Sequence, residues 1–262
     1  MKKVEVFGAT VSYRVDGNGP GLVLVSGTGG NLQSNWDHLI DQLTPQRSVV
    51  RVDYSGSGET LDTHESLSVQ ILAEQVVAAA KASGAVPFDL VGYSLGAGVA
   101  IYIAAEYPEL VRSLVLLAGF ASGQETRLKL QSELWLDLIR LEPRAFARLI
   151  LLAGFSPPFL SGLDDRQVDE WIDAICTVNR WDGIARQIDL DRRLDISAQV
   201  QKINRPTLVI GCGHDQMVPV EHSRALAATI TGSRYAELDS GHLAPFECPD
   251  EFVKLVLDFI DA

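Results

Sequence analysis

The pentapeptide Gly92-Tyr93-Ser94-Leu95-Gly96 sets a serine between two glycines, after a strand pattern at 88–91 and before a helical pattern over 96–106. A serine on so tight a strand-to-helix turn is held in strained backbone geometry, with its hydroxyl standing clear of the sheet end. Gly92 and Gly96 suit the turn because larger side chains there would strike the neighbouring strand and helix. The turn also aims a helix N-terminus, whose first N–H groups lack partners, at any oxyanion forming beside Ser94. Ser94 is thus a candidate nucleophile, and a serine hydroxyl attacks only when a base takes its proton.

Five histidines are available for that role. His242 follows a strand pattern at 234–238, on a loop at the carboxyl end, the edge that carries Ser94 in a parallel sheet. His38 falls in a helical pattern, His64 in a polar loop and His222 near a helix start, where solvation or capping accounts for them. Asp215, in Gly211-Cys212-Gly213-His214-Asp215, comes just after the strand pattern at 207–210, again at the carboxyl end. An acid placed there can accept from the imidazole and fix its tautomer. His214 is the rival base and Asp239 the reserve acid.

The elements that must position these groups alternate along the chain. Period-2 patterning at 3–7 and 10–15 around Gly8-Ala9 reads as a hairpin. The runs 22–25, 48–52, 88–91 and 113–117 read as buried strands, separated by helical patterns at 36–43, 69–82 and 96–106. From about 122 to 199 the strand signal stops and apolar helices take over. One covers 126–141, with Leu130, Leu134, Leu138 and Leu141 on one face; others cover 145–153 and 169–178. Beyond Pro206 the βα rhythm resumes. These patterns predict an α/β fold: a mostly parallel sheet with an N-terminal antiparallel hairpin, helices on both faces and a helical insertion before the last two strands. The core is expected at 1–121 and 200–262, the insertion at 122–199.

Composition narrows the partners. A 262-residue chain with 47% hydrophobic and 21% charged residues is a globular protein. A net charge of -12 without a basic stripe argues against nucleic acid. Three scattered cysteines suggest neither a disulfide framework nor a metal site. The absence of an apolar run of ~18 residues predicts no membrane span, and the alternating residues after Met1-Lys2-Lys3 are unlike a signal core. The expectation is a cytoplasmic protein without metal or cofactor.

Taken together, the order Ser94, Asp215, His242 resembles that of the α/β-hydrolase family. Asp53-Tyr54-Ser55-Gly56-Ser57-Gly58, the stretch from Asp215 to Pro219, and Gly241-His242 followed by Glu247 and Pro249 also look like its recurring segments. The resemblance covers essentially the whole chain and implies a helical lid where the insertion falls. It implies a carboxylic ester hydrolase or thioesterase working through an acyl-enzyme on a small hydrophobic acyl substrate, free or as a carrier-bound thioester. Lactonase, acyltransferase, C–C bond hydrolase and a slow ligand-sensing module remain open alternatives. By position in Ser26-Gly27-Thr28-Gly29-Gly30, Thr28 and Leu95 supply the oxyanion N–H groups, with Gly27 or Gly29 as substitutes for Thr28. Tyr93, Gly27 and Gly29 are placed against the substrate. Ser26 stands where the family usually has His, so the loop must be anchored differently. Arg180, Arg186, Arg192 and Arg193 are available to a carboxylate or phosphopantetheine, with surface solvation as their alternative. Relatives that use Asp in place of Ser94, or Lys in place of Leu243, have chemistries this chain does not fit.

Overall fold

Apolar, β-branched runs too short for helices supply the strands of a nine-stranded sheet. The computed structural model describes residues 1–262. Strands β1 (Lys2–Val6) and β2 (Ala9–Asp16) form the antiparallel hairpin, and β3 (Gly21–Val25), β4 (Ser48–Asp53), the short β5 (Leu61–Asp62), β6 (Phe88–Tyr93), β7 (Val111–Leu117), β8 (Thr207–Cys212) and β9 (Arg234–Leu238) follow. Their spatial order is β1-β2-β4-β3-β6-β7-β8-β9, with β5 beside β2. β2 joins β4 antiparallel, and every later neighbour is parallel.

Helices cover both faces, as a buried parallel sheet requires. They are α1 (Ile40–Leu43), α2 (Val69–Ser83), α3 (Leu95–Glu106), α4 (Thr126–Leu141), α5 (Pro143–Gly154), α6 (Pro157–Ser161), α7 (Asp165–Val178), α8 (Trp181–Arg193), α9 (Ser197–Val200), α10 (Val220–Thr229), α11 (Ala244–Glu247) and α12 (Pro249–Ile260). Alternate strand residues go to opposite cores. Val23, Val25, Leu90 and Leu114 pack with α2 and α3, whereas Leu22, Leu24, Val91 and Val115 pack with Trp36 and α12. The central helix α3 is apolar on nearly every side and correspondingly buried. No helix is long and apolar enough to cross a membrane.

Between β7 and β8 the chain runs through α4 to α9, and an isolated bridge pairs Ser122 with Asp195. The leucine stripe of α4 faces mostly outward: Leu130 is 66% and Leu141 81% exposed and Leu134 is also exposed, while Leu138 is half-buried against the Ile139 cluster. The buried positions are Leu128, Ser132 and Ile139. The inward face thus carries a polar residue. Ser132 satisfies its hydroxyl on the Leu128 carbonyl at 2.8 Å, as a mid-helix serine can, and so sits inside without an external partner. Ile139 packs with Phe146, Ile184 and Ile188, joining α4, α5 and α8.

This packing predicts unequal costs along one helix. Ile139→Ala should destabilise the protein by about 2–5 kcal/mol, whereas Leu141→Ala should stay within about 0.5 kcal/mol of wild type in guanidinium unfolding.

Candidate active site

The turn after β6 has almost no room for side chains. A Cβ on Gly92 would lie 2.3 Å from the Gly96 carbonyl oxygen, and one on Gly96 would lie 2.3 Å from that of Val25. With both absent, α3 starts directly against β3, and Ser94 adopts φ 57°, ψ -120°. A non-glycine residue there is strained and holds only where its surroundings enforce it. One such restraint is the Ser94 N–H, which donates to the Leu117 carbonyl at 2.9 Å.

Three loops at the carboxyl edge complete a chain of hydrogen bonds. His242 Nε2 lies 3.0 Å from Ser94 Oγ, and its Nδ1 lies 2.6 Å from Asp215 Oδ2. A carboxylate only accepts, so Nδ1–H donates to Asp215 and leaves Nε2 free to accept from the serine hydroxyl. Asp215 Oδ1 accepts the N–H groups of Met217 and Val218, both at 2.8 Å. His242 and Asp215 are buried. Tyr93, beneath the pair, donates its hydroxyl to the His242 carbonyl at 2.9 Å and lines the cavity. His214 and Asp239 instead pair with each other at 2.8 Å on the surface. Burial pushes the Cys212 thiol well up and that of Cys248 up to about 11, so neither offers a thiolate.

The loop at 26–31 is pinned without the histidine. Ser26 Oγ accepts from Trp36 Nε1 at 2.9 Å and donates to the Asn31 carbonyl, and Tyr54 donates its hydroxyl to the Ser26 carbonyl at 2.7 Å. Gly29 N–H donates to Gln187 at 2.9 Å and Gly30 N–H to the Gly27 carbonyl at 3.0 Å. Gly29 therefore has no free donor to offer. Thr28 N–H makes no hydrogen bond, and Leu95 opens α3 with no partner a turn earlier.

Above these groups lies a cavity of about 590 Å³. Its walls are largely apolar, with Phe120, Trp135, Phe146, Ile150, Trp171 and Phe246 among them. Of the insertion aromatics, Trp135, Phe146 and Trp171 face the cavity, while Phe155 and Phe159 stack on each other behind Trp171. No lysine or arginine lines it. Arg186 is engaged by Asp62 at 2.6 Å, Arg180 by the Thr60 carbonyl at 2.6 Å, and Arg192 and Arg193 by Asp189.

Sequence reasoning missed Gln187, Asp191 and the contact made by Glu247. Gln187 and Asp191 lie four residues apart in a polar stretch of α8, a spacing that ordinarily marks a solvated face; no local signal distinguishes them. Glu247 accepts from Gly241 N–H and Ser156 N–H, both at 3.0 Å, and so fastens the His242 loop to the end of α5. Burial, opposed by the hydrogen bond from Thr28, lifts Asp191 from 3.8 to about 7.

A strained serine at a β6–α3 turn, in reach of a histidine and an acid from the ends of the last two strands, defines a class of protein. The family model described as the alpha/beta hydrolase family matches residues 22–255, and the chain belongs to that family. Pyrrolizixenacetamide deacetylase of Xenorhabdus hominickii is 51% identical over 260 residues, 99% of this chain and 98% of that protein. Among solved structures, a hydrolase from Pseudomonas aeruginosa PA01 superposes with a TM-score of 0.89 at 27% identity, covering 100% of this chain and 98% of the other. The enol-lactonase of Burkholderia xenovorans LB400 gives 0.88 at 24% identity over 100% of both chains, a likeness of fold.

Asp191 leads to a pH prediction. A carboxyl whose pKa is higher folded than unfolded binds its proton more tightly in the native state, so its burial is least costly below about 4. Stability then declines as pH rises towards about 7, where the folded carboxyl ionises. Asp191→Asn, uncharged throughout, should match wild type near pH 4 and exceed its Tm at pH 8. Equal pH dependence in the two proteins would contradict this.

Proposed function

We propose that this chain is a serine hydrolase that removes a small acyl group from an amide or ester whose remainder is bulky and apolar, through an acyl-enzyme. The observation that carries the reading is the Ser94–His242–Asp215 hydrogen-bonded chain at the base of the apolar cavity. Ser94 Oγ attacks the acyl carbon while His242 Nε2 takes its proton. The carbonyl oxygen becomes an oxyanion facing the N–H groups of Leu95 and Thr28. His242 then returns the proton to the leaving nitrogen or oxygen as the carbon–heteroatom bond breaks. Water enters by the same steps, giving the free acid and the starting serine. Asp215 holds the imidazole in the required tautomer and stabilises the imidazolium.

An acetamide is the favoured substrate class, given the deacetylase at 51% identity. A small acyl group beside Ser94 leaves the aromatic cavity to the amine portion, and apolar burial there adds up to about 0.8 kcal/mol per methylene. A carrier-bound thioester is disfavoured because no cation lines the cavity to meet a phosphopantetheine. The helices from α4 to α8 serve in this reading as the lid over the site. A cytoplasmic setting agrees with three unpaired cysteines.

Ser94→Ala should lower kcat by roughly four to six orders of magnitude with the fold intact, and His242→Ala nearly as much. The double variant should be scarcely worse, because the two residues act as a unit. Asp215→Asn should lose on the order of a hundredfold or more. A fluorophosphonate should label wild type at one equivalent, on Ser94. Label on another serine, or an unimpaired alanine variant, would overturn the reading.

On a series of N-acetyl amines, kcat/KM should rise with apolar leaving-group size until the cavity is full and then fall. A flat series with appreciable turnover would remove the assignment of the cavity while leaving the nucleophile in place.

A further inference from the structure

Helix α8 meets the oxyanion loop with two side chains one turn apart. Gln187 is fully buried. Its Oε1 accepts Gly29 N–H at 2.9 Å, while its Nε2 donates to the Ser55 carbonyl at 3.1 Å and Ser57 Oγ at 2.9 Å. Asp191 Oδ2 accepts the Thr28 hydroxyl at 2.5 Å, and its Oδ1 is buried without a partner. The helix is locked in place by backbone contact: a Cβ on Gly183 would lie 2.2 Å from the Gly56 carbonyl oxygen. Ser55 is in turn held by Gln75, whose Oε1 accepts its N–H at 2.8 Å and whose Nε2 donates to its hydroxyl at 2.7 Å.

We propose that Gln187 and Asp191 are positioning residues that hold the oxyanion loop so that Thr28 N–H, rather than Gly29 N–H, faces the reacting carbonyl. The inference rests on the serine-hydrolase reading above. Gln187 engages the donor next along the loop, so rotation of the 28–29 peptide would break a buried hydrogen bond. Asp191 holds the Thr28 side chain and so limits the dihedral freedom of the residue whose N–H remains unbonded. Two restraints on adjacent residues fix the donor before substrate arrives, which is what makes such a donor effective. The burial that raises Asp191 to about 7 also lowers its charge near neutrality, limiting repulsion of an oxyanion close by.

The test uses the full chain and an activated aryl acetate, with kcat and KM determined separately. Gln187→Leu and Asp191→Leu should each lower kcat by about ten- to a hundredfold, with KM within about twofold of wild type. An aryl trifluoromethyl ketone, which becomes an oxyanion only on addition of Ser94, should bind more weakly by the same factor, while the matching unreactive alcohol binds as before. Asp191→Asn, which still accepts from the Thr28 hydroxyl, should recover much of the rate lost in Asp191→Leu. Thr28→Val keeps the N–H and removes only the hydroxyl; it should reproduce the Asp191→Leu defect, and the pair together should be no worse than either alone. That variant serves if the α8 leucine variants do not fold. A rise in KM with kcat unchanged, full ketone affinity in the slow variants, or additive Thr28 and Asp191 losses would overturn the proposal. Failure of the serine-hydrolase reading itself would show separately, as no stoichiometric fluorophosphonate labelling of wild-type Ser94.

Discussion

The site depends on how closely α3 approaches the sheet. With no side chain at Gly96, the first turn of the helix rests on the carbonyls of Val25 and Ser26, and with none at Gly92 the strand passes beneath it. That contact forces the unusual backbone of Ser94 and brings the Leu95 N–H beside the loop that follows β3. A single methyl group at either glycine would separate the two halves of the site by pushing helix from strand. The other supports are arranged around this seam: Trp36 and Tyr54 grip the loop at Ser26, and Leu117 holds the serine N–H.

Charge is handled by burial and pairing rather than by cationic recognition. The acid beside His242 is occupied by two backbone N–H groups as well as the imidazole. Asp53 accepts Leu32 N–H at 2.8 Å and Glu59 N–H at 3.2 Å, and burial still raises its pKa. Tyr54 is pushed well above its ordinary value by burial, so it remains a donor to the loop. Arg180 and Arg186 are spent on tying α8 to Thr60, Asp62 and His64 around β5, and Arg192 and Arg193 pair with Asp189 within the helix. What is left facing the cavity is a largely apolar wall without lysine or arginine.

Much of the sheet and the placement of Ser94, Asp215 and His242 at one edge were legible because those signals are local. A run such as Leu22–Val25 reports burial on both faces, and a serine between glycines after a strand reports a turn. Chain order then suffices to put three loops on the same edge, and the fold brings their side chains within hydrogen-bond reach. The inward face of α4 was not legible, because packing chose Ser132 over Leu130, Leu134 and Leu141, which composition cannot disclose. Gln187 and Asp191 stayed hidden for a related reason. Their partners, Gly29 and Thr28, are about 160 residues away, and polar residues on a helix look alike until something covers them. The loss of the Gly29 donor was likewise beyond reach of local pattern.

The bridge between Ser122 and Asp195 brings the two ends of a long excursion together at a narrow neck. The strands on either side, β7 and β8, pair in register from Leu114 with Thr207 to Leu117 with Ile210, with the whole excursion outside that ladder. Because closure entropy grows only slowly with loop length, by about 0.6 kcal/mol for each doubling, helices beyond the neck can be lengthened, trimmed or exchanged at little cost to the sheet. The exceptions are α8, whose side chains touch the loop after β3, and the end of α5, which Glu247 fastens to the His242 loop. Divergence in what the cavity admits should therefore accumulate in α4 and α7, giving a lineage a way to change its diet while its chemistry stands still.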